Sequence, residues 1–207
     1  MRQSRRGHTL LETLIASALI GICLMGVWSL VRAGSRYLLI TNAKVELQNG
    51  AIRTLRLIAE QFSETNDRSF YCGNSTVQPL NNGQVNHGVV FVSPRDPVTG
   101  EIEHDLKGRI LWSKYVAFYH YEETPGNFCV ARSSTNMATK WPYPVRPPYL
   151  DPYLQTNPDR KILARNVALF ECEQYPANLK VRMLCQLSSG WGKKYGFEVE
   201  TMVYTRN

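Results

Sequence analysis

The sequence lacks the short motifs that mark the common enzyme classes. It contains no G-x-S-x-G, no H-E-x-x-H, no phosphate-binding P-loop and no G-x-G-x-x-G after a predicted strand. These motifs would supply a nucleophile, metal ligands or a phosphate cradle. We therefore predict that the protein is not an enzyme and needs no cofactor.

Metal-binding patterns are also missing. The chain has no C-x-x-C pair, and its histidines beyond residue 80 lack ligand-like spacing, so we predict no zinc site. The acids from Asp96 to Asp105 do not have the spacing of an EF-hand calcium loop, and a solvated hairpin loop accounts for them better. The three histidines beyond residue 80, for which we predict no role as zinc ligands, are His87, His104 and His120.

A dense basic stripe is absent as well. The formal charge is +7, and three of the positive charges lie before residue 7, so +4 remains for the rest of the chain. Arg160, Lys161 and Arg165 come nearest to a basic patch, without interleaved aromatic residues. Nucleic acid is therefore not an expected partner.

The most informative absence is that of charge between Thr13 and Val31. At 1.5 Å per residue this segment reaches about 28 Å, close to the thickness of the hydrocarbon core of a membrane. No A-x-A-like cleavage site follows it, so we predict an anchor rather than an ordinary secretory signal. The preceding Arg2, Arg5 and Arg6 place the amino terminus in the cytoplasm and the long carboxy-terminal part outside it.

Glu12 is the one acid at the start of this apolar run. A charge within a membrane segment costs free energy, so the carboxylate needs compensation. One interpretation is that Glu12 reaches the cytoplasmic interface. The other is that cleavage after Gly7 exposes an amino group on His8, a cation four residues from the acid.

The segment RRGHTLLETLIA resembles the class III signal of type IV pilins and pseudopilins. The resemblance implies that prepilin peptidase cuts between Gly7 and His8 and methylates the new amino group of His8. It also implies that Glu12 pairs with the amino terminus of a neighbouring subunit and sets the register of assembly. The family pattern is matched at Gly7, Thr9, Leu10, Leu11 and Glu12, while His8 replaces the usual Phe.

Later segments resemble J-type minor pseudopilins of type II secretion and W-type minor pilins. They are YVAFYHY, FCVAR, ILARNVALF and VYTRN. The resemblance implies a low-copy subunit that initiates assembly at or near the tip of a pseudopilus or type IV pilus. The implied location is the inner membrane, crossed once, with a periplasmic domain. Since tip-most subunits tend to lack the acid, Glu12 suggests a place just beneath the apex.

The partners implied are other minor and major pilins or pseudopilins, prepilin peptidase and the inner-membrane assembly platform. The alternative is a signal-anchored single-pass membrane protein whose outer domain binds a ligand or DNA without assembling into a filament. An uncut Gly7 would favour that alternative.

An amphipathic pattern continues the helix beyond the membrane. Leu47, Ala51, Leu55, Ile58 and Phe62 recur at spacings of three and four, which predicts one apolar stripe. We therefore divide the chain into a leader at 1–7, a transmembrane helix at 8–31, its amphipathic continuation at 32–63 and a β-rich extracytoplasmic domain at 64–207.

The domain after residue 64 is predicted from short runs rich in β-branched and aromatic residues. They are GVVFV, RILWSKYVAFYHYEE, FCVAR after a turn at 124–127, KILARNVALFECEQ, LKVRMLCQL after a turn at 175–178, and YGFEVETMVYTRN. We predict an α+β fold, with the long amino-terminal helix as a spine against an antiparallel sheet. A segment rich in Pro and Tyr, 141–160, is predicted to run extended across the surface. Two alternatives stay open for its aromatic side chains, contact with another subunit or packing back onto the sheet; they are Trp141, Tyr143, Tyr149 and Tyr153.

Cysteines complete the prediction. Cys23 lies in the apolar helix, where a lone cysteine is most often a small apolar filler. The other four fall in the predicted extracytoplasmic domain, where an oxidising environment permits two disulfides with three connectivities. We favour a pair Cys172–Cys185, which flanks one hairpin, and a pair Cys72–Cys129.

Overall fold

A computed structural model of the protein describes residues 10–66, 69–73, 88–96, 98–147, 160–175, 178–188 and 194–205. The chain forms two compact units, Met1–Ala43 and Lys44–Asn207. One α-helix, α1 (Leu10–Ser63), supplies the described part of the first unit and the opening residues of the second.

Within the second unit, α1 buries a single stripe. Ala51, Leu55, Ile58 and Phe62 are almost completely buried, and Leu47 packs against the same core, as the spacing predicts. Thr54 joins the buried face because its hydroxyl donates to the Gly50 carbonyl at 2.8 Å, which leaves no polar atom unsatisfied there. The amphipathic prediction for this part of the helix is confirmed.

The helix is followed by a five-stranded antiparallel sheet. Its strands lie in chain order: β1 (Phe70–Gly73), β2 (Gly88–Ser93), β3 (Trp112–Thr124), β4 (Asn127–Trp141) and β5 (Lys161–Arg165). The predicted strand GVVFV is β2, and every one of its residues is buried. A strand buried on both faces reads as a continuous apolar run, which is why β2 shows no alternation.

The central hairpin of this sheet is longer than predicted. β3 is one continuous strand, and it turns into β4 at residues 125–126, with Gly126 in the left-handed region at φ 81°. The segment FCVAR forms only the start of β4, which continues as SSTNMATKW to Trp141. That continuation is polar and mostly exposed toward its end, so no apolar pattern in the sequence predicts that it is a strand.

The run KILARNVALFECEQ, predicted as one strand of a hairpin, is two strands. It breaks at Asn166, whose φ of 57° is left-handed, and passes from β5 into β6 (Val167–Gln174). β6 belongs to a second antiparallel sheet with β7 (Asn178–Ser188) and β8 (Lys194–Tyr204). The predicted β6–β7 hairpin is confirmed, with the Tyr175 N–H donating to the Asn178 carbonyl at 2.9 Å across its turn.

The core lies between α1 and the inner faces of both sheets. Phe62 of the helix meets Phe70 edge-on at 4.8 Å between ring centroids and Phe91 at 6.0 Å, and Phe170, Leu179 and Met183 of the second sheet belong to the same cluster. Such aromatic contacts add to the free energy gained from burying apolar area. The fold is therefore α+β, with an amino-terminal helix packed on antiparallel strands, as predicted, but the strands form two sheets where the sequence predicted one.

Candidate processing and assembly site

The predicted processing residues precede the described part of the chain. Arg2, Arg5, Arg6, Gly7 and His8 lie outside the described residues. Glu12 is described, and it occupies the exposed first turn of α1. An acid in the first turn is favourably placed relative to the helix dipole, since the unpaired N–H groups there carry partial positive charge.

The helix behind Glu12 presents apolar side chains on all its faces. Leu14, Ile15, Leu19 and Trp28 are each at least half exposed, although water solvates such side chains poorly. The helix is long and apolar enough to cross a membrane, and its most apolar window is not buried against any other part of the structure. A lipid environment would cover this surface.

Two hydroxyl groups of this segment donate hydrogen bonds within the helix. The Thr13 hydroxyl donates to the Leu10 carbonyl at 2.9 Å, and the Ser17 hydroxyl donates to the Leu14 carbonyl at the same distance. Internal hydrogen bonds of this kind lower the cost of placing hydroxyl groups in lipid. Glu12 is the first carboxylate of α1, and the next one along the helix is Glu46.

The loop between β2 and β3 uses its acids for its own structure. Asp96 Oδ1 accepts hydrogen bonds from the N–H groups of Val98 at 2.7 Å and Thr99 at 3.0 Å, while Oδ2 contacts Lys140 Nζ at 2.9 Å. These contacts hold the pKa of Asp96 well below its usual range, and the hydrogen bond from Lys140 contributes most to this lowering. Glu103 contacts the same lysine at 2.5 Å.

A second turn of this loop is closed in the same way by Asp105. Its carboxylate accepts hydrogen bonds from the backbone N–H of Arg109 at 2.8 Å, from the Arg109 side chain at 2.7 Å and from the backbone N–H of Lys107 at 2.8 Å, and these bonds lower its pKa. Each turn leaves one aliphatic side chain, Val98 or Leu106, almost completely exposed. Within the described ranges, no three His, Cys, Asp or Glu side chains gather as a metal-binding group.

Three of the basic and histidine side chains singled out in the sequence make contacts within the fold. Arg165 makes a two-point contact with Glu123, at 3.1 Å from each oxygen, and Arg160 lies over the Tyr121 ring at 4.4 Å. His120 Nε2 lies 2.8 Å from the Val167 carbonyl oxygen. His87, together with Tyr149 and Tyr153 of the segment rich in Pro and Tyr, lies outside the described residues.

The segment rich in Pro and Tyr is described as far as residue 147. Trp141 ends β4 and lies 5.4 Å from Tyr143, measured between ring centroids. Both rings are partly exposed, at 37% and 53%. The two rings are therefore partly accessible at the surface, and their contact with another subunit stays a prediction.

The favoured pairing of Cys172 with Cys185 is wrong. Cys172 lies opposite Val181, whereas Cys185 lies opposite Val167. The four residues from Val181 to Cys185 extend about 13 Å along β7. A disulfide requires Cα atoms within about 7 Å, so the two flanks of this hairpin are too far apart.

The favoured pairing of Cys72 with Cys129 is wrong for a related reason. Cys72 belongs to β1 and Cys129 to β4, so two complete strands lie between them. With strands about 4.8 Å apart, the separation is about 14 Å. All five cysteines are free thiols in this structure.

Instead, the structure brings Cys72 close to Cys172. The Cys72 N–H donates to the side-chain oxygen of Gln174 at 3.3 Å, and both cysteines pack against the same core cluster. Burial raises the pKa of Cys72 to about 12, and burial together with the charge of Cys72 raises the pKa of Cys172. Cys129 and Cys185 are fully buried elsewhere, and each has a pKa raised to about 11, chiefly by burial.

Comparison with known proteins bears on the amino-terminal segment. Residues 2–28 match the family model described as the prokaryotic N-terminal methylation motif. This range contains the leader arginines, Gly7, His8, Glu12 and most of the apolar run. Searches of curated proteins and of solved structures give no match to this chain.

The matched motif and the apolar helix together define a class, membrane-anchored proteins with a type IV pilin-like prepilin signal. Proteins with this signal are structural rather than catalytic. The α+β arrangement, with an amino-terminal helix on antiparallel sheets, is that of a pilin-like fold.

Proposed function

We propose that the protein is a minor pilin or pseudopilin, a low-copy structural subunit of a type II secretion pseudopilus or a type IV pilus. Prepilin peptidase cuts between Gly7 and His8 and methylates the His8 amino group. The mature protein crosses the inner membrane once, with its β-rich domain in the periplasm. It joins other minor and major subunits at the assembly platform and acts in initiation near the tip of the filament.

The observation that carries this proposal is the methylation motif at residues 2–28, placed directly on an apolar helix. The motif ends within the membrane segment, and the same helix then supplies the buried stripe of the outer domain. A cleavable leader, an anchor and a domain built on one helix are what a subunit held by its helix in a filament requires. An enzyme or a free binding domain would not need the last of these.

The charge pattern supports the role proposed for Glu12. Once Gly7 is removed, a methylated amine on His8 and the Glu12 carboxylate stand about one helical turn apart in sequence. In lipid each charge is costly alone, and an opposite charge on a neighbouring subunit offsets that cost. Apolar helices would then associate in a fixed register rather than at random.

Intact mass of the protein from a host with active prepilin peptidase tests the proposal. We expect the mass of the chain that begins at His8 and carries one added methyl group. Gly7→Ala is expected to give the uncut chain that begins at Met1. Gly21→Ala is the matched control, because a Cβ at Gly21 meets no neighbouring atom and the substitution leaves the cleavage site unchanged.

A wild-type chain that retains residues 1–7 in that host would overturn the proposal. It would favour the signal-anchored binding protein, whose outer domain acts without filament assembly. A processed chain that copurifies with no other pilin subunit would contradict the assembly role while leaving the processing intact.

A further inference from the structure

We propose that Cys72 and Cys172 form a disulfide that joins β1 of the five-stranded sheet to β6 of the three-stranded sheet. The proposal rests on the proposed function in one respect, that the outer domain lies in an oxidising compartment. The sequence alone could not select this pair, since one hundred positions separate the two cysteines.

The first argument is the alternation of side chains along the two strands. Phe70 and Cys72 are two residues apart on β1, so they share a face, and both contact the main core. Phe170 and Cys172 stand in the same relation on β6 and contact the same core. The two cysteines therefore point into one layer from strands of different sheets.

The second argument is a direct contact between these strands. The Cys72 N–H points away from β2 and donates to Gln174 Oε1 at 3.3 Å. Gln174 follows Cys172 by two residues on β6, so the two side chains lie on the same face. The contact places the edge of β1 beside the part of β6 that carries Cys172 and Gln174. The electrostatic influence of Cys72 on Cys172 is consistent with this closeness.

The third argument is access for an oxidant. Cys72 and Cys172 are half-buried, whereas Cys129 and Cys185 have exposures of 1% and 0%. Thiol–disulfide exchange requires that the oxidant reach one of the two sulfurs, and burial, which raises the pKa of Cys72 and of Cys172, slows the first attack. Among the four cysteines of the outer domain, Cys72 and Cys172 are the two that are partly exposed.

The chemistry balances with a thiol–disulfide oxidoreductase, or oxidised glutathione, as the oxidant. The thiolate of one cysteine attacks the acceptor's disulfide and forms a mixed disulfide, releasing one acceptor thiol. The second cysteine then attacks its partner's sulfur, forms the Cys72–Cys172 bond and releases the other acceptor thiol. Two electrons and the two cysteine protons pass to the acceptor, whose disulfide becomes two thiols.

The experiment uses the purified full-length protein in detergent, equilibrated with a glutathione redox buffer. Thiols are alkylated after unfolding, and non-reducing digestion with mass spectrometry identifies any linked peptides. We expect a peptide that joins Cys72 to Cys172, with Cys23, Cys129 and Cys185 alkylated. Cys72→Ser should leave four alkylated thiols, whereas the matched control Cys129→Ser should leave two.

Thermal unfolding provides a second measurement. Reduction of the wild-type disulfide should lower Tm by roughly 5 to 15 °C, because the crosslink restricts the unfolded chain. Reduction should not change the Tm of Cys72→Ser, which lacks the bond. This comparison within each variant separates loss of the crosslink from any local effect of the serine.

Five alkylated thiols after oxidation, or a linked peptide containing Cys129 or Cys185, would overturn the disulfide. The intact mass of the amino terminus, measured on protein from the native host, reports separately on the proposed function. A processed amino terminus with five thiols defeats the disulfide alone. An unprocessed chain with the Cys72–Cys172 link defeats the filament role alone.

Discussion

Two glutamates of α1, Glu12 and Glu46, have different surroundings. Glu12 stands at the start of an apolar helix, while Glu46 lies on the same helix beyond the apolar segment and is also exposed. A carboxylate in water needs no partner, whereas one in lipid does. The two acids therefore form a natural comparison.

We expect Glu12→Ala to give a processed protein that stays in the membrane but enters the filament poorly. The substitution removes the anion that would pair with a neighbouring amino terminus and leaves the cleavage site intact. Copurification with other pilin subunits from solubilised membranes measures the loss. Glu46→Ala should copurify normally, and equal recovery of the Glu12 variant and the wild type would contradict the pairing role.

The carboxylate of Asp96 predicts a pH dependence of stability. Its pKa is lowered in the folded protein by Lys140 and by two backbone N–H groups, relative to an ordinary value of about 3.9 in the unfolded chain. Below that value the unfolded chain binds more protons, so this contribution is complete above about pH 4 and declines as the pH falls toward the folded-state pKa.

The measurement is the free energy of unfolding of wild type and Asp96→Asn by urea at pH values between about 2 and 7. We expect the wild type to be the more stable protein near neutrality and the difference to shrink below about pH 4. Glu101→Gln, on the same loop and exposed, controls for the simple loss of a carboxylate. A difference that stays constant with pH would be inconsistent with this account.

At the scale of secondary-structure elements, the change of sheet at Asn166 is the sharpest feature. Asn166 is exposed and left-handed, and its carbonyl accepts a hydrogen bond from the Gln186 N–H at 2.7 Å. This residue ends β5 and directs the chain into β6. Asparagine adopts the left-handed conformation more readily than most residues that carry a Cβ. Glycine, which has no Cβ, adopts it freely.

We expect Asn166→Val to reduce the free energy of unfolding by about 1 to 2 kcal/mol, because a β-branched residue is strained at positive φ. Asn166→Gly should change stability by less than about 1 kcal/mol, since glycine adopts this conformation freely. Chemical denaturation of both variants measures the difference. Equal stability of the valine and glycine variants would show that the left-handed conformation at residue 166 is not needed for the stability of β5 and β6.

The same element shows how far local pattern predicts the fold. The stripe on α1, the run GVVFV and the two hairpin turns were predictable because periodicity and turn residues act over a few positions. KILARNVALFECEQ was predicted as one strand because only Arg165 and Asn166 separate its two apolar runs. The polar second half of β4 went unpredicted because it buries little apolar area.

The candidate sites follow the same rule. Gly7, His8 and Glu12 form one short motif, so their roles could be hypothesised from the sequence. The closeness of Cys72 and Cys172 depends on how two sheets meet, and no local pattern encodes that register. Proximity along the chain suggested Cys172 with Cys185 instead, and the strand register excludes that pair.

At the scale of the whole molecule, the division into two units predicts what can be produced in water. The buried apolar residues begin at Ala51, within Lys44–Asn207, while the apolar surface of the first unit is exposed. A chain of residues 44–207 therefore retains the whole core and loses the segment that requires lipid. The second unit should fold by itself.

We expect residues 44–207 to be soluble without detergent and to unfold cooperatively on heating, as measured by circular dichroism. Residues 64–207 provide the control, because they lack the helical stripe that covers the inner faces of the sheets. That shorter chain should aggregate or lack a cooperative transition. A cooperative transition in 64–207, or aggregation of 44–207, would contradict the division of the core described here.

The position of β8 has a consequence during synthesis. β8 is the last described strand in the sequence, yet it pairs with β7 along its whole length, from Lys194 opposite Ser188 to Tyr204 opposite Asn178. A ribosome that stops before Lys194 releases a chain in which β7 offers a bare row of backbone donors and acceptors. Such a product exposes an unpaired strand edge, and we expect proteases and chaperones to recognise it.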